Sequence, residues 1–184
     1  MDAEQTDQSR PWLAVGKEVA EVLSRVDAKP FFRIVQALDD ETRCWFFSGQ
    51  GRSGLAAQMA AMRLMHVGRN VHSVGEVTAP SIRRCDGLVI VSGSGETPVS
   101  VNFARIAKAE GAEVILFTRA PKSTLAALAD AMLLVPVEKT QQFGGSLFEQ
   151  CSLILFDAII LEIDRKSTRL NSSHDVISRM PSSA

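Results

Sequence analysis

Five short runs of apolar residues constrain the fold of this chain more than any other feature of its sequence. The runs are CWFF, NVHSV, GLVIVSG, EVILFT and AMLLVPV, and they are rich in Val, Ile, Leu and Phe. Continuous rather than alternating apolar runs are typical of strands covered on both faces, as in a parallel sheet whose crossover connections are helices. Several of the segments between them have the residue pattern of helices. The sequence therefore predicts an α/β layered sandwich.

The rest of the chain divides into helical segments and two atypical ends. Apolar residues recur at helical spacing over residues 12–38, where Asp27 is the predicted cap between two helices. The stretch SLFEQCSLILFDAIILEI is apolar nearly all round, which predicts a helix in a core or a subunit interface. We expect a polar segment over residues 1–11, one domain over 12–163 and a poorly ordered tail over 164–184, because the tail has six serines and no apolar period.

Length and charge exclude several classes of protein. The 184 residues suggest one domain, and a net charge of −1 provides no basic surface for nucleic acid. No run of about 18 apolar residues offers a membrane span, and the N-terminus lacks an apolar signal core. The cysteines Cys44, Cys85 and Cys151 lie far apart and form no CxxC pair, which argues against a disulfide framework or a zinc site. We therefore expect a cytoplasmic protein with a small-molecule partner.

A loop of small polar residues, SGSGETP at positions 92–98, lies between a predicted strand and a predicted helix. Ligands of open parallel sheets bind beyond the carboxyl ends of the strands, where helix N-termini offer unpaired N–H groups. Thr97 is the predicted N-cap, because Pro98 suits the first helical position. The loop also supplies hydroxyl donors and glycines that allow close approach and positive φ angles; these are Ser92, Ser94, Gly93 and Gly95. It is a candidate phosphate site without lysine, or a capped turn whose hydroxyls satisfy local backbone groups.

A second loop of this type, SGQGRSG at positions 48–54, also follows a predicted strand and opens a predicted helix. It contains glycines for a tight turn, a serine as donor or cap and one cation, which are Gly49, Gly51, Gly54, Ser53 and Arg52. Two such loops favour binding of a phosphate group. The loop lacks the Gly-Lys-Ser/Thr of a Walker A motif. The next strand carries Asn70 and His72 rather than a terminal acidic residue, which disfavours a dinucleotide.

Five motifs together resemble the sugar isomerase (SIS) domain family, and within it the 6-phospho-3-hexuloisomerase type. They are GQGRSG, MRLMHVG, VGEVTAP, VIVSGSGETPVSV and GGSLFEQ, and the similarity covers residues 12–163. The resemblance implies a flavodoxin-like three-layer sandwich with a five-stranded parallel sheet, assembly into homo-oligomers (tetramers or dimers) and no metal or organic cofactor. The implied reaction interconverts D-arabino-hex-3-ulose 6-phosphate and D-fructose 6-phosphate, a step of formaldehyde fixation in the ribulose monophosphate pathway.

The resemblance also implies roles for particular residues. Those that would hold the phosphate or nearby sugar oxygens are Ser53, Ser92, Ser94 and Thr97, and those that shape the loops are Gly49, Gly51 and Gly93. Arg52 either approaches the phosphate or forms a surface ion pair. Glu149 matches the general base of the family, since one carboxylate can take the proton from C2 and return it to C3. The alternative is structural, because Ser146 and Glu149 form an S-x-x-E capping-box pattern.

Further expectations concern the C-terminus, the methionines and the alternative functions. Family members of this type end in a segment with a histidine, which His174 does not match, so the resemblance implies slow turnover by this chain. Met59, Met62 and Met65 are predicted to fill a core or an interface.

Two other functions are alternatives to this isomerase. A non-catalytic phosphosugar sensor is one alternative, although the residues before the first strand lack a helix-turn-helix pattern. Another phosphosugar isomerase is the second alternative, because its phosphate loops would look alike.

Overall fold

The computed structural model describes residues 10–178, with side chains over residues 10–166. Its strands are β1 (Cys44–Gly49), β2 (Asn70–Ser73), β3 (Gly87–Val91), β4 (Glu113–Thr118) and β5 (Ala131–Leu134). Its α-helices are α1 (Pro11–Leu23), α2 (Ala28–Leu38), α3 (Arg52–His66), α4 (Pro98–Ala109), α5 (Thr124–Leu128) and α6 (Ser146–Ser178). A single 3₁₀ turn, Phe143–Gly145, precedes α6. The helix cap predicted at Asp27 is confirmed, because its Oδ1 accepts the backbone N–H of Lys29 at 2.9 Å.

The strands form one sheet in the order β2-β1-β3-β4-β5, and every neighbouring pair is parallel. This confirms the predicted five-stranded parallel sheet and its flavodoxin-like order. The chain leaves β1 in one direction to form β2 and later returns to form β3 on the other side of β1. The carboxyl ends of β1 and β3 therefore lie at the point where the strand order reverses, which is where ligands bind in sheets of this kind.

Alternate side chains of the strands are buried on opposite faces of the sheet. One core lies between the sheet and helices α1, α2, α3 and α6; its strand residues include Trp45, Phe47, Val89, Val91, Ile115 and Phe117. The other lies between the sheet and helices α4 and α5; its strand residues include Phe46, Leu88, Ile90, Val114 and Leu116. Because both faces of the sheet are covered, the strands have continuous rather than alternating apolar sequences. The three-layer prediction is confirmed.

Helix α6 is apolar on most sides, as predicted. Cys151, Phe156 and Ile159 are among its fully buried residues, and burial raises the pKa of the Cys151 thiol to about 11. Ile154 and Leu161 of the same helix are 41% and 50% exposed.

None of the helices in the described part of the chain combines the length and apolarity that crossing a membrane requires.

Helix α6 extends past the predicted domain boundary at residue 163 and ends at Ser178. No glycine or proline occurs between residues 146 and 178, so nothing in that stretch interrupts the helix. The poor order predicted for residues 164–184 stays a prediction. Residues 1–9 and 179–184 and the side chain of His174 lie outside the described residues, and the predictions about them stay predictions.

A glycine in β3 makes room for the largest buried side chain of the sheet. A Cβ atom on Gly87 would lie 2.1 Å from Cζ3 of Trp45, which is fully buried in the paired strand. We expect Gly87→Ala to lower the free energy of unfolding by roughly 1–3 kcal/mol, as overpacking does elsewhere. The matched control is Gly16→Ala, because Gly16 lies within α1 with no atom near its Cβ position. That change is expected to be stabilising by roughly 0.5–1 kcal/mol.

Urea unfolding of both variants checks this prediction. Equal stability of the Gly87→Ala protein and the wild type would show that the Trp45 ring can move aside.

Candidate active site

The two glycine-rich loops meet at the carboxyl edge of the sheet. The loops after β1 and β3 and the start of α6 enclose a polar cavity of about 230 Å³. Its walls are formed by Gln50, Ser53, Val91, Ser92, Gly93, Ser94, Thr97, Arg119, Gly144, Gly145, Phe148 and Glu149. The structure therefore brings the serines of both loops and Glu149 to one cavity at the reversal of strand order. Their function as ligand-binding groups stays a prediction.

The loop after β1 is held tightly by close backbone packing. A Cβ atom on Gly49 would lie 2.7 Å from the carbonyl carbon and oxygen of Ser53, so only glycine fits there. Gly51 has a φ of 58° and is the N-cap residue of α3. Ser53 is therefore in the first turn of α3 and does not cap it. Its hydroxyl instead donates a hydrogen bond of 3.1 Å to Oε1 of Glu149.

The loop after β3 forms the capped turn that is one of its two predicted alternatives, and the phosphate site stays a prediction. The hydroxyl oxygens of Ser92 and Ser94 accept the backbone N–H groups of Gly95 and Glu96, at 3.2 and 3.3 Å. They satisfy local backbone groups, as in a capped turn. Since a hydroxyl that accepts a hydrogen bond still carries its own proton, each can also donate to a ligand. Thr97 is the N-cap residue of α4, as predicted, but its side chain makes no capping hydrogen bond.

The glycines of this loop have different functions. Gly95 has a φ of 67°, as expected for a left-handed position that favours glycine. Gly93 does not have a positive φ, so that part of the prediction is wrong. A Cβ atom on Gly93 would lie 3.2 Å from the ring of Phe148, so the absence of a side chain there makes room for the start of α6.

Glu149 is fixed by two partners from the start of α3. Its Oε2 accepts a hydrogen bond of 3.3 Å from Nε of Arg52, and its Oε1 accepts the hydroxyl of Ser53. The carboxylate is only 19% exposed. Arg52 also donates to the carbonyl of Gly144. Of the two roles predicted for Arg52, the structure shows the ion pair with Glu149. Arg52 does not line the cavity, and its approach to a phosphate stays a prediction.

The capping box predicted as the alternative for Glu149 is not formed. The hydroxyl of Ser146 donates to the carbonyl oxygen of Phe143 at 2.7 Å, whereas the carboxylate of Glu149 faces α3. The S-x-x-E spacing therefore has no capping function here. Glu149 instead lines the cavity, and its role as a general base stays a prediction.

Sequence reasoning missed part of the cavity wall. The missed residues are Gln50, Arg119, Gly144, Gly145 and Phe148. Arg119 follows directly after the last residue of β4, at the same edge of the sheet as the two predicted loops. A signal for it was thus present in the sequence, because the residue after any predicted parallel strand lies at this edge.

Two other polar residues at or near the end of β2, His72 and Glu76, do not line this cavity. His72 stacks on Phe46, with ring centroids 5.6 Å apart, and it lines a separate cavity with Glu76 and two methionines of α3. Oε2 of Glu76 accepts the backbone N–H of Ser73 at 3.3 Å. A third cavity of about 280 Å³ is lined mainly by apolar residues and offers Glu76 as its charged group. We assign the site to the polar cavity at Glu149, since it combines a carboxylate with several donors.

The sequence also matches known proteins. Residues 41–160 match the SIS domain family. The chain belongs to this family. This SIS domain is 41% identical over 153 residues to 3-hexulose-6-phosphate isomerase from Mycobacterium gastri. The aligned region covers 79% of this chain and 76% of that protein. It is 42% identical over 130 residues to the protein of the same name from Bacillus subtilis, covering 66% and 70% of the two chains.

A solved structure supports the same relationship. The SIS domain described here resembles a protein from Methanococcus jannaschii with a TM-score of 0.76 and 27% identity, over 95% of this chain and 99% of that chain. The structure of that archaeal protein was reported to infer a molecular function of 3-hexulose-6-phosphate isomerase. The expectation of a flavodoxin-like SIS fold is therefore confirmed.

Proposed function

We propose that this protein interconverts D-arabino-hex-3-ulose 6-phosphate and D-fructose 6-phosphate through an enediol. The observation that carries the proposal is the position of Glu149, a carboxylate held by two hydrogen bonds in the wall of a cavity rich in hydroxyl donors. A base and anion-binding loops in one small cavity are what isomerisation of a phosphosugar requires. The relatives from Mycobacterium gastri and Bacillus subtilis carry the name of this activity.

The loop after β3 binds the phosphate in this proposal. Thr97 precedes a helix of 12 residues, whose N-terminal N–H groups and dipole favour an anion. The hydroxyl groups of Ser92 and Ser94 add donors beside it. Ser53 lies on the opposite wall and reaches sugar oxygens near Glu149. Gly49 and Gly51 shape the loop that carries Ser53, and Gly93 lets Phe148 close the cavity.

Glu149 moves the carbon-bound proton. Its carboxylate takes the proton from C2, the electrons of the C–H bond form a C2–C3 double bond, and the C3 oxygen gains a proton to give the enediol. Return of a proton to C3 and loss of the proton on the C2 oxygen then give the 2-ketose. Arg52 and Ser53 orient the carboxylate, and a second group or a water moves the protons of the two oxygens. No metal or organic cofactor enters these steps.

Carbon-13 NMR with fructose 6-phosphate labelled at C2 tests this function. The proposal expects the labelled ketone signal to fall as a hydroxyl-bearing carbon appears, and expects deuterium uptake at C2 or C3 in D₂O. Binding without exchange would instead identify a non-catalytic phosphosugar-binding domain. Deuterium at C1 of the recovered fructose 6-phosphate, rather than at C3, would identify an aldose–ketose isomerase.

We also propose a homo-oligomer. Exposed apolar side chains lie on α3 and α6, both of which begin at the cavity: Leu55, Met59, Met62, Ile154 and Leu161 are between 41% and 61% exposed. Met59 and Met62 are therefore not in the core, and of their two predicted positions the interface is supported. A second copy on these helices would lie beside the site. Light scattering tests the proposal, and a monomer at working concentration would contradict it.

The cellular setting follows from the same proposal. A hexulose phosphate isomerase serves formaldehyde assimilation by the ribulose monophosphate pathway, which we place in the cytoplasm. The three cysteines are free thiols in the structure, which fits a reducing compartment. Fractionation of the source cells tests this, and recovery of the protein from a secreted or membrane fraction would contradict it.

A further inference from the structure

A third loop, residues 119–123, completes the cavity on the side of β4. The hydroxyl of Thr118, the last residue of β4, donates to the carbonyl of Gly93 at 3.4 Å. The carboxylate of Glu96 accepts both the backbone N–H and the hydroxyl of Thr124, each at 2.7 Å. These two bonds, the backbone one first, lower the pKa of Glu96 below its ordinary value. The third loop is thus fixed against the serine loop from both of its ends.

This loop brings Arg119 to the cavity. Of the residues that line the cavity, only Arg119 and Glu149 are charged. Glu149 already has Arg52 as its ion-pair partner. None of the ion pairs found among the described residues involves Arg119, and its side chain is exposed. The cavity therefore contains one positive charge without a protein partner in the described part of the chain.

The strand order separates this charge from the carboxylate. Arg119 follows β4, whereas Glu149 is held by residues that follow β1, and β3 lies between these two strands. Neighbouring strands are about 4.8 Å apart, so two spacings separate the ends of β1 and β4 by roughly 10 Å. A ligand with an anionic group at one end and the reacting carbons at the other fits this separation of charge.

We propose that Arg119 binds the phosphate group of the sugar phosphate and makes the site selective for phosphorylated over neutral sugars. This inference rests on the proposed function for its class of ligand. A guanidinium group can donate two parallel hydrogen bonds to a phosphate, and a bond of this kind is stronger than one between neutral groups. Since the whole chain has a net charge of −1, the attraction for an anion must come from local groups, and Arg119 adds a positive charge to the hydroxyl and N–H donors of the serine loop.

The test compares Arg119→Gln and Arg119→Lys with the wild type. Calorimetry measures binding of fructose 6-phosphate, inorganic phosphate and fructose, and kinetics measure KM and kcat. Arg119→Gln is expected to weaken binding of both phosphate compounds and to raise KM by about 10- to 100-fold, with a smaller change in kcat and none in fructose binding. Arg119→Lys is expected to restore part of the loss, because it keeps the charge but not the paired donors.

The matched control is Arg105→Gln, which removes an exposed cation of α4 that does not line the cavity. It should leave all three affinities unchanged. Added salt should weaken phosphate binding by the wild type more than by the Arg119→Gln variant, which a purely structural effect would not produce. Arg119 is exposed, so thermal unfolding should match the wild type in all variants.

The outcomes separate this proposal from the proposed function. Unchanged phosphate affinity in Arg119→Gln, or no phosphate binding by the wild type, would overturn the role of Arg119 even if the protein isomerises hexulose phosphate. Weaker phosphate binding in Arg119→Gln, with no turnover by the wild type, would support the phosphate-binding role of Arg119 and contradict the proposed isomerase activity.

Discussion

Replacing Glu149 by Gln is expected to lower kcat for hexulose phosphate isomerisation by about 10²- to 10⁴-fold, the usual contribution of a general base. The amide has nearly the same shape and can still accept the hydrogen bond from Ser53, which the carboxylate accepts at 3.1 Å. It cannot remove a proton from C2. Because the phosphate loop is unchanged, KM is expected to stay close to the wild-type value. Single-turnover and steady-state kinetics measure both quantities.

The control for this variant is a second ion pair between the same two helices. Asp157 of α6 lies 3.8 Å from Arg63 of α3, and both side chains are about half exposed. Asp157→Asn therefore removes a comparable interaction that does not line the cavity, and it should leave kcat and KM unchanged. Exposed ion pairs contribute roughly 0–1 kcal/mol, so Asp157→Asn should not unfold the protein. Glu149→Gln keeps the hydrogen bond from Ser53, and urea unfolding checks that it is folded. Near wild-type turnover by Glu149→Gln would assign the proton transfer to another group.

The second large effect is expected from Gly49→Ala. The added methyl group would meet the backbone of Ser53 at 2.7 Å and the backbone nitrogen of Gly54 at 2.8 Å, and backbone atoms cannot rotate away as a side chain can. The first turn of α3 must then shift, which moves the hydroxyl that contacts Glu149. Displacements of about 1 Å at a reacting centre cost roughly 100-fold in rate, so kcat/KM should fall by at least that factor.

The same change should also lower the free energy of unfolding by roughly 1–3 kcal/mol, as overpacking does. Urea unfolding and kinetics on the folded protein separate the two effects, and Gly16→Ala, which is expected to be stabilising, serves again as the glycine-to-alanine control. If Gly49→Ala kept wild-type kcat/KM, the close contact of this loop would not be needed to position Ser53.

The elements of the fold could be predicted because each has a local cause. The β3 sequence GLVIV is fully buried because helices cover both faces of the sheet, and burial on both faces is what a continuous apolar run indicates. The two loops were recognisable because small polar residues follow an apolar run directly. The end of α6 was harder to predict, since the serine-rich composition after residue 164 does not indicate a helix, whereas the lack of glycine and proline allows α6 to continue to Ser178.

The composition of the site was only partly predictable. Arg119 lies in a loop without the glycine pattern of the other two, and it reaches the cavity because β4 lies beside β3, an arrangement that hydrophobic periodicity does not specify. Arg52 had two possible partners in the sequence. Arg52 pairs with Glu149 because α6 begins next to α3 in the fold. About 80 residues of chain separate these two helices.

The sequence by itself determined which segments form strands and helices, that both faces of the sheet are covered, and that two loops combine hydroxyl groups with glycines. These properties depend on residues close together in the chain, through burial pattern and turn chemistry. Only the tertiary structure decided that Glu149 faces Ser53 rather than capping its own helix, and that Arg119 faces the serine loop. Those contacts join residues far apart in sequence, and they exist because packing against the sheet brings three strand ends and the start of α6 together.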